Sequence, residues 1–586
     1  MAELKGTQCR NVVYCKNPKH LDYDLHLVKV TDYYQDGTKE PKVKLVKDFN
    51  KTFWVANRKN RHYKQKKERF PLSECDEIKA PRRRMAEEAA RALDIKFLPP
   101  NPNDILKDPY VFGTDLTSSA ELKFKYNQSK YARETEELAD VAAFDVETNI
   151  RDKKRWQWIE MATLSFKDVV ITVVDKYFIQ EKYPNKSKEQ ILEDLYKYDN
   201  IYLKEINEER KIKQEFYVVD SEIEVLTTVF KRAHELKPDF ISAWNMDFDI
   251  SRLIEACGRA GMDPADLLSD PSVPRDFRFF RYNPGRESGM SQKGVWKTFA
   301  NYEKWPQVFC PSSFVFADSM CFYYGSRKHK GKLPKYSLDY ILSREFPDEI
   351  KPGMSEKDIE KRKKNSRIRK LKFEESNHLA GTPDWHIFMQ SKYPYEYVIY
   401  NKFDCVALEY LDEQTLDLCH TLVSSCEYSD YKDFESEPKR LANHMHWFNL
   451  GHGYAYGTGG QNCVIPLDSK LIGRDDWIIT LRADLLVESG MNNLIDAPLL
   501  HTNVHQDSGD IDVTSSYPYS NLTMNTSVET MTKELISIEE VDEIDRRQAG
   551  INFSGGFVNA VENACKLLHA SNMADVLKAY RAQRQN

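Results

Sequence analysis

Three acidic stations in this chain of 586 residues stand where an apolar run meets a polar edge, a place where a carboxylate can do chemistry. The first is Asp145 with Glu147, in VAAFDVETN. Side chains alternate along a strand, so positions i and i+2 share a face and both carboxylates can address one ion. The second is Asp249, in NMDFD, just after the apolar run DFISAW. The third is Tyr400 with Asp404, in YNKFD, where i and i+4 share a helix face. Gathered in space, such carboxylates form a hard oxygen site suited to Mg²⁺ or Mn²⁺. Two ions about 3.5–4 Å apart then activate a water and stabilise the leaving oxygen of a phosphodiester. Tyr400, one turn before Asp404, would orient that water through its hydroxyl. Taken singly, each station has an ordinary reading, as a chance D-x-E, a helix cap or a helical pair. The force lies in three stations following one another in order, each on a suitable element.

The elements that must hold them are legible around each station. VAAFDVETN reads as a short apolar strand, and IEMATLSF and DVVITVVD as two more around a Lys-Asp turn. DSEIEVLTTVFKRAHELKP has helical apolar spacing with an Asp start and a Pro stop, and leads into the strand DFISAWN. Strand, hairpin, helix, strand in this order predicts an α/β domain with a mixed sheet. PYEYVIYNKFDCVALEYLDEQTLDL is helical with an apolar stripe, and a very basic helix is expected over 355–372. Residues 277–305 read as a long ribbon with a Gly-rich tip. Upstream, NVVYC, LHLVKV and KTFWVA are β-like, RRRMAEEAARALDI is helical, and FLPPNPNDILKDPYVFG reads as a non-helical connector.

The length predicts several domains, at roughly 100–200 residues each. Composition is that of a large globular protein, 41% hydrophobic and 30% charged. Net charge is −6, so no global positive field draws the chain to nucleic acid, and any such site must be a local basic surface. RKNRHYKQKKER holds seven Lys/Arg and one Glu, KAPRRRM follows, and residues 357–372 carry nine Lys/Arg. These segments either neutralise phosphates or form solvated charged faces. Phe279, Phe280, Tyr282 and Trp296 on the ribbon either stack on unpaired bases or pack. The eleven scattered cysteines form no C-x-x-C pair, which predicts free thiols in a reducing compartment. No apolar signal core or spanning segment is evident, so a cytoplasmic location without membrane attachment is expected.

These motifs, in their order, resemble the three exonuclease motifs of family B DNA polymerases, the replicative class of many large DNA phages. KYSLDYIL (335–342) is similar to a segment these enzymes carry between the second and third motifs, and the ribbon at 277–305 occupies the place of their primer–template hairpin. The resemblance spans roughly residues 140–535. It implies an α/β multidomain protein: a mixed α+β amino-terminal domain (1–138), an RNase H-like 3′→5′ exonuclease domain (139–425) and a partial polymerase palm (426–586). By the same resemblance Asp145, Glu147, Asp249 and Asp404 bind two Mg²⁺ or Mn²⁺ ions, and Tyr400 is catalytic. A cytoplasmic location becomes that of the host cell.

DIDVTSSYPYSN, from 510 to 521, is similar to the first polymerase motif of the family, of form D-x-x-S-L-Y-P-S. Asp512, Thr514, Ser515, Tyr517 and Pro518 match, whereas Ser516 replaces a leucine and Tyr519 a serine. Asn525, Ser527, Glu529 and Thr530 fit the phage version of its tail. The resemblance implies that Asp512 is a catalytic metal ligand and that Val513, Ser515 and Ser516 support the dNTP triphosphate. Tyr517 would pack under the sugar and reject a 2′-hydroxyl. Motifs of form K-x-x-x-N-S-x-Y-G and Y-x-D-T-D-S do not follow residue 530. YGTGGQN (456–462) has only a partial likeness to the first of these, and its glycines are alternatively a loop near DNA backbone.

The expected function is therefore the amino-terminal part of a family B polymerase with a proofreading exonuclease. Its partners would be primer-template DNA, single-stranded 3′ ends, dNTP, a sliding clamp, and a second polymerase chain. That second chain would supply fingers, thumb and the second palm carboxylate, and Mg²⁺ would bind at the polymerase site only with it. The competing expectation is a stand-alone 3′→5′ DNA exonuclease with a degenerate polymerase region. A purely binding protein has no reason to gather buried like charges.

Overall fold

The computed structural model describes residues 3–457, apart from the short segments 16–21, 64–65, 68, 136, 291–295, 352–353, 369–370, 372 and 380. All of these belong to one compact unit, Met1–Cys463. Asp512, Val513, Ser515, Ser516 and Tyr517, the expected polymerase residues, lie outside the described residues.

A six-stranded mixed sheet forms the centre. Its strands are β1 (Val141–Thr148), β2 (Ile159–Phe166), β3 (Val169–Asp175), β4 (Lys213–Val219), β5 (Phe240–Ala243) and β6 (Val315–Asp318), in the order β4-β3-β2-β1-β5-β6. β2 runs antiparallel to β1 and β3, whereas β3–β4, β1–β5 and β5–β6 are parallel. The β2–β3 hairpin turns through Lys167 in the left-handed region (φ 59°), as the Lys-Asp signal predicted.

Alternation along β1 separates two cores. Ala142, Phe144 and Val146 face one way, into a cluster with Ala162, Leu164, Ile171 and Val173 of the neighbouring strands. That face is covered by helices α2 (Glu222–Leu236) and α3 (Met246–Ala260), which contribute Val225, Val229, Phe230, Ile250 and Leu253. Ala143 faces the other way, with Met161, Val170 and Val174. There the cover comes from α1 (Lys188–Arg210) and α6 (Pro394–Thr415), through Ile191, Leu195, Val398 and Phe403. Truncating a core phenylalanine such as Phe144 would cost about 3–5 kcal/mol in lost transfer energy and cavity. Asp145 and Glu147 thus lie on the face beneath α6, where they are half-buried.

Several sequence expectations need correction. α1 and β4 were not foreseen; α1 begins at a Ser187–Gln190 capping box, and β4 then extends the sheet beside β3. The cap of α2 is Ser221, not Asp220, whose carboxylate is engaged by Lys176 (2.7 Å) and Lys188 (2.6 Å). The helix ends at Lys237 in the left-handed conformation (φ 50°), just before Pro238. The basic helix is Glu356–Asn365 only, closed at Ser366, and the buried Asn365 amide donates to Pro347 O (2.9 Å), which ties this end of the helix to the preceding loop. The proline-rich connector contains a 3₁₀ turn, Pro102–Lys107, capped by Asn101, and a short strand, Val111–Phe112. The ribbon is two short antiparallel pairs, Arg281–Asn283 with Gln307–Phe309 and Ser288–Met290 with Trp296–Thr298; its tip, 291–295, lies outside the described residues.

The amino-terminal strands form two further sheets. Leu4–Cys15, Leu25–Tyr34 and Lys39–Lys47 make one; Asn50–Ala56, Cys75–Pro81 and Val111–Phe112 make the other. Buried polar links tie the first to the central sheet: Lys29 pairs with Asp239 at 2.6 Å, and Tyr431 Oη donates to Arg10 O at 2.7 Å. The nine cysteines among the described residues are free thiols. Among the described residues, no helix is long and apolar enough to cross a membrane.

Candidate active site

Each of the three stations meets β1. Asp249 sits in the first turn of α3, almost fully buried, and its Oδ1 accepts the Val146 N–H at 3.1 Å. This backbone bond brings α3 against the strand between the two β1 carboxylates. From the other side, α6 lays residues 397, 400, 401 and 404 along the strand, the i, i+3, i+4, i+7 face of a helix. Asn401 Nδ2 donates to Asp145 Oδ2 at 2.7 Å, and Asn401 Oδ1 accepts from Thr163 Oγ1 on β2 at 2.6 Å. Tyr397 Oη donates to Glu147 Oε2 at 2.5 Å. Tyr400 is buried and its hydroxyl bonds the Asp404 carboxylate.

The electrostatics place the carboxylates in one neighbourhood. Burial, and then the charge of Asp145, hold the Asp249 carboxyl well above the usual range. Burial first, then Asp404, Glu147 and Asp145, push the Tyr400 phenol up. The Cys405 thiol is raised by burial and then by Asp145, Asp404 and Asp249. Asp145, Glu147, Asp249 and Asp404 are therefore within Coulomb range of a common pair of side chains on α6. Crowded, desolvated carboxylates are what a divalent cation would relieve, and the oxygen-only donor set suits Mg²⁺ or Mn²⁺. As the side chains stand, no group of three or more His, Cys, Asp or Glu among the described residues is closed around an ion position.

Residues beyond the expected set shape this site. Asp318 ends β6, opposite Ala243 of β5, and is almost fully buried. Its Oδ2 accepts the Met246 N–H (3.0 Å) at the start of α3, and its Oδ1 the Cys321 N–H (2.9 Å) in α4 (Ser319–Arg327). Burial pushes its carboxyl up to about 7, against the lowering effect of those N–H groups. α5 (Pro383–Lys392) supplies Gln390, whose Nε2 donates to Thr148 O (2.8 Å), and His386, whose Nδ1 is 2.8 Å from Tyr397 Oη. The helical spacing of Tyr397 and Asn401 with Tyr400 and Asp404 is a signal that marks both as members of the same face. No comparable local signal marks Asp318, His386 or Gln390. Lys402, although inside YNKFD, points away from the carboxylates: it is fully buried against Asp199 (2.6 Å) and Asn207 (2.9 Å) of α1.

Many of the basic and aromatic side chains suggested as nucleic-acid contacts are engaged within the chain. Lys364 pairs with Glu209 (2.7 Å) and Arg367 with Glu205 (2.9 Å), so part of the 357–372 segment lies along α1. Arg61 donates to Ala56 O and Ala92 O, and Arg83 to Asp48. On the ribbon Tyr282 Oη donates to Asp247 Oδ1 at 2.5 Å and packs toward the core, whereas Trp296 is exposed.

Compared with known proteins, the chain matches no family model and no curated protein.

Proposed function

We propose that residues 139–425 form a divalent-metal-dependent 3′→5′ DNA exonuclease of RNase H-like fold, within the amino-terminal part of a family B DNA polymerase. The observation that carries this reading is the convergence of Asp145, Glu147, Asp249 and Asp404 on one neighbourhood from three separate elements. The mixed sheet supports it, because its central strand β1 carries the D-V-E and β2 runs antiparallel to both neighbours.

The reaction is hydrolysis of the terminal phosphodiester of a single-stranded 3′ end. Bound Mg²⁺ or Mn²⁺ would supply the polarisation of the attacking water and of the leaving 3′ oxygen. Asp145, Glu147, Asp249 and Asp404 would hold the ions. Asn401 and the Val146 N–H fix one oxygen each of Asp145 and Asp249. The Tyr400 phenol, kept protonated by burial and by the carboxylates around it, presents its hydroxyl beside Asp404 and orients the water. The polymerase half of the reading rests on the motif at 510–530 alone, with Asp512 as metal ligand and Tyr517 as sugar selector.

The test is degradation of a 5′-labelled single-stranded oligonucleotide by the purified chain in Mg²⁺. The wild type should shorten it from the 3′ end. The double variant Asp145→Ala, Glu147→Ala should fall by several orders of magnitude while keeping its far-UV circular dichroism, since lost ion ligands cost on the order of several kcal/mol of barrier. Equal activity in that variant sinks the assignment.

A further inference from the structure

Building on the nuclease reading, we propose that Tyr397 and His386 are positioning residues for Glu147: a hydrogen-bonded pair that fixes its carboxylate for ion binding. Glu147 lies at the end of β1 and carries one more rotatable bond than Asp145, so its carboxylate has the larger orientational entropy to lose on holding an ion. The structure meets this with a buried donor. Tyr397, fully buried on α6, gives its single hydroxyl hydrogen to Glu147 Oε2 at 2.5 Å. Its oxygen then has only acceptor capacity left. His386 Nδ1, 2.8 Å from that oxygen, must therefore carry the ring hydrogen, which sets the tautomer. His386 Nδ1 is also 4.0 Å from Glu147 Oε2, so the three groups form a compact triangle.

The triangle is held from outside. Tyr397 lies parallel to Tyr400 at 5.8 Å between ring centroids, and Trp385 packs on Tyr400 at 4.9 Å. α5, which carries His386, is pinned to the end of β1 by Gln390: its Nε2 donates to Thr148 O (2.8 Å) and its Oε1 accepts the Ile150 N–H (3.3 Å). The strand that carries Glu147 thus also sets the helix that orients it. The same device recurs at the neighbouring carboxylates. Asp145 has an oxygen held by the Asn401 amide, and Asp249 one held by the Val146 N–H. Neutral donors orient these carboxylates without cancelling the charge an ion needs. Outer partners of this kind are worth about 10–100-fold in ion affinity or activity.

The experiment measures Mn²⁺ binding to the full chain by the electron paramagnetic resonance signal of free Mn²⁺. Alongside it runs the Mg²⁺ dependence of single-stranded 3′-end degradation. Tyr397→Phe keeps the ring and removes only the hydroxyl. It should weaken Mn²⁺ binding about 10–100-fold and raise the half-saturating Mg²⁺ concentration to match, with much of the rate returning at saturating metal. His386→Ala should show a smaller shift in the same direction, and His386→Asn, which restores a short polar group near Nδ1, should recover part of it. His386 is part-exposed, so its variants decide the matter if Tyr397→Phe fails to fold. Wild-type Mn²⁺ affinity and Mg²⁺ dependence in Tyr397→Phe or His386→Ala, beside an inactive Asp145→Ala, Glu147→Ala control, overturns this inference and leaves the nuclease reading standing. Full activity in that control overturns both.

Discussion

Replacing Asp318 with alanine removes one carboxylate that caps the starts of two helices, α3 and α4. Both of its oxygens are used: Oδ2 by the Met246 N–H at 3.0 Å and Oδ1 by the Cys321 N–H at 2.9 Å. A buried N–H left without an acceptor costs about 1–3 kcal/mol, so orphaning two costs about 2–6 kcal/mol. Some of that returns at neutral pH, because the variant no longer carries a desolvated carboxyl whose pKa is pushed up to about 7. That relief is about 1.4 kcal/mol for each pH unit by which the carboxyl is raised, large at neutral pH and small at about pH 4. The variants are therefore compared at about pH 4, where a net loss of about 2–5 kcal/mol is expected. Asp318→Asn retains one acceptor oxygen but turns an NH₂ toward the second N–H, so its loss should be about 1–3 kcal/mol. The expected order is wild type, then Asn, then Ala. Urea unfolding followed by far-UV circular dichroism reads it as successive falls in the midpoint at constant m. The functional consequence comes through α3. Met246 stands three residues before Asp249, so a loosened helix start moves Asp249 off the Val146 N–H, and the 3′-end degradation proposed for this site should fall more than stability alone explains. A midpoint for Asp318→Ala within about 0.5 kcal/mol of wild type would refute the capping argument, since changes that small are typical of surface positions. So would an Asn variant less stable than the Ala variant.

Other expectations concern stability and pH. Lys29→Met leaves the buried Asp239 without its 2.6 Å ion-pair partner, with the Asp140 N–H at 2.8 Å and the Arg10 charge at 3.8 Å remaining, and should lower the unfolding free energy by about 3–5 kcal/mol in the same urea assay. An unchanged midpoint would mean that the amino-terminal sheet is not anchored through this pair. Glu409 is buried against Arg210 (3.1 Å) and Ser165, and burial pushes its carboxyl up to about 7. A raised carboxyl binds its proton more tightly when folded, so its contribution is complete below about pH 4.5 and is lost as pH rises through about 7. Glu409→Gln should flatten that part of the pH–stability curve, a slope worth about 3 kcal/mol over the window. A curve parallel to wild type would count against it.

The candidate site was legible to the extent that its signals are local. V-A-A-F-D-V-E announces a strand, and the pleat alone puts Asp145 and Glu147 on one face; the structure keeps them there, opposite Phe144 and Val146. YNKFD announces a helix, and its turn puts Tyr400 beside Asp404. The ends were less legible. The basic segment was expected to stay helical to 372, but the helix ends at Asn365, whose side chain is bound to Pro347, 18 residues away, a contact no local pattern shows. α1 and β4 were missed because the helix is charged along much of its length and β4 is a short, half-buried edge strand.

What the sequence determined by itself was the identity and facing of the carboxylates, because strand and helix periodicities are properties of a few successive residues. What only the tertiary structure decided was who holds them. Asn401 meets Asp145 across 256 residues, Tyr397 meets Glu147 across 250, and Asp318 meets Met246 across 72. Lys402 shows the same division from the other side. Its place within YNKFD suggests the site, yet α6 turns it toward Asp199 on α1, because a helix face, not adjacency in the chain, chooses a side chain's neighbours.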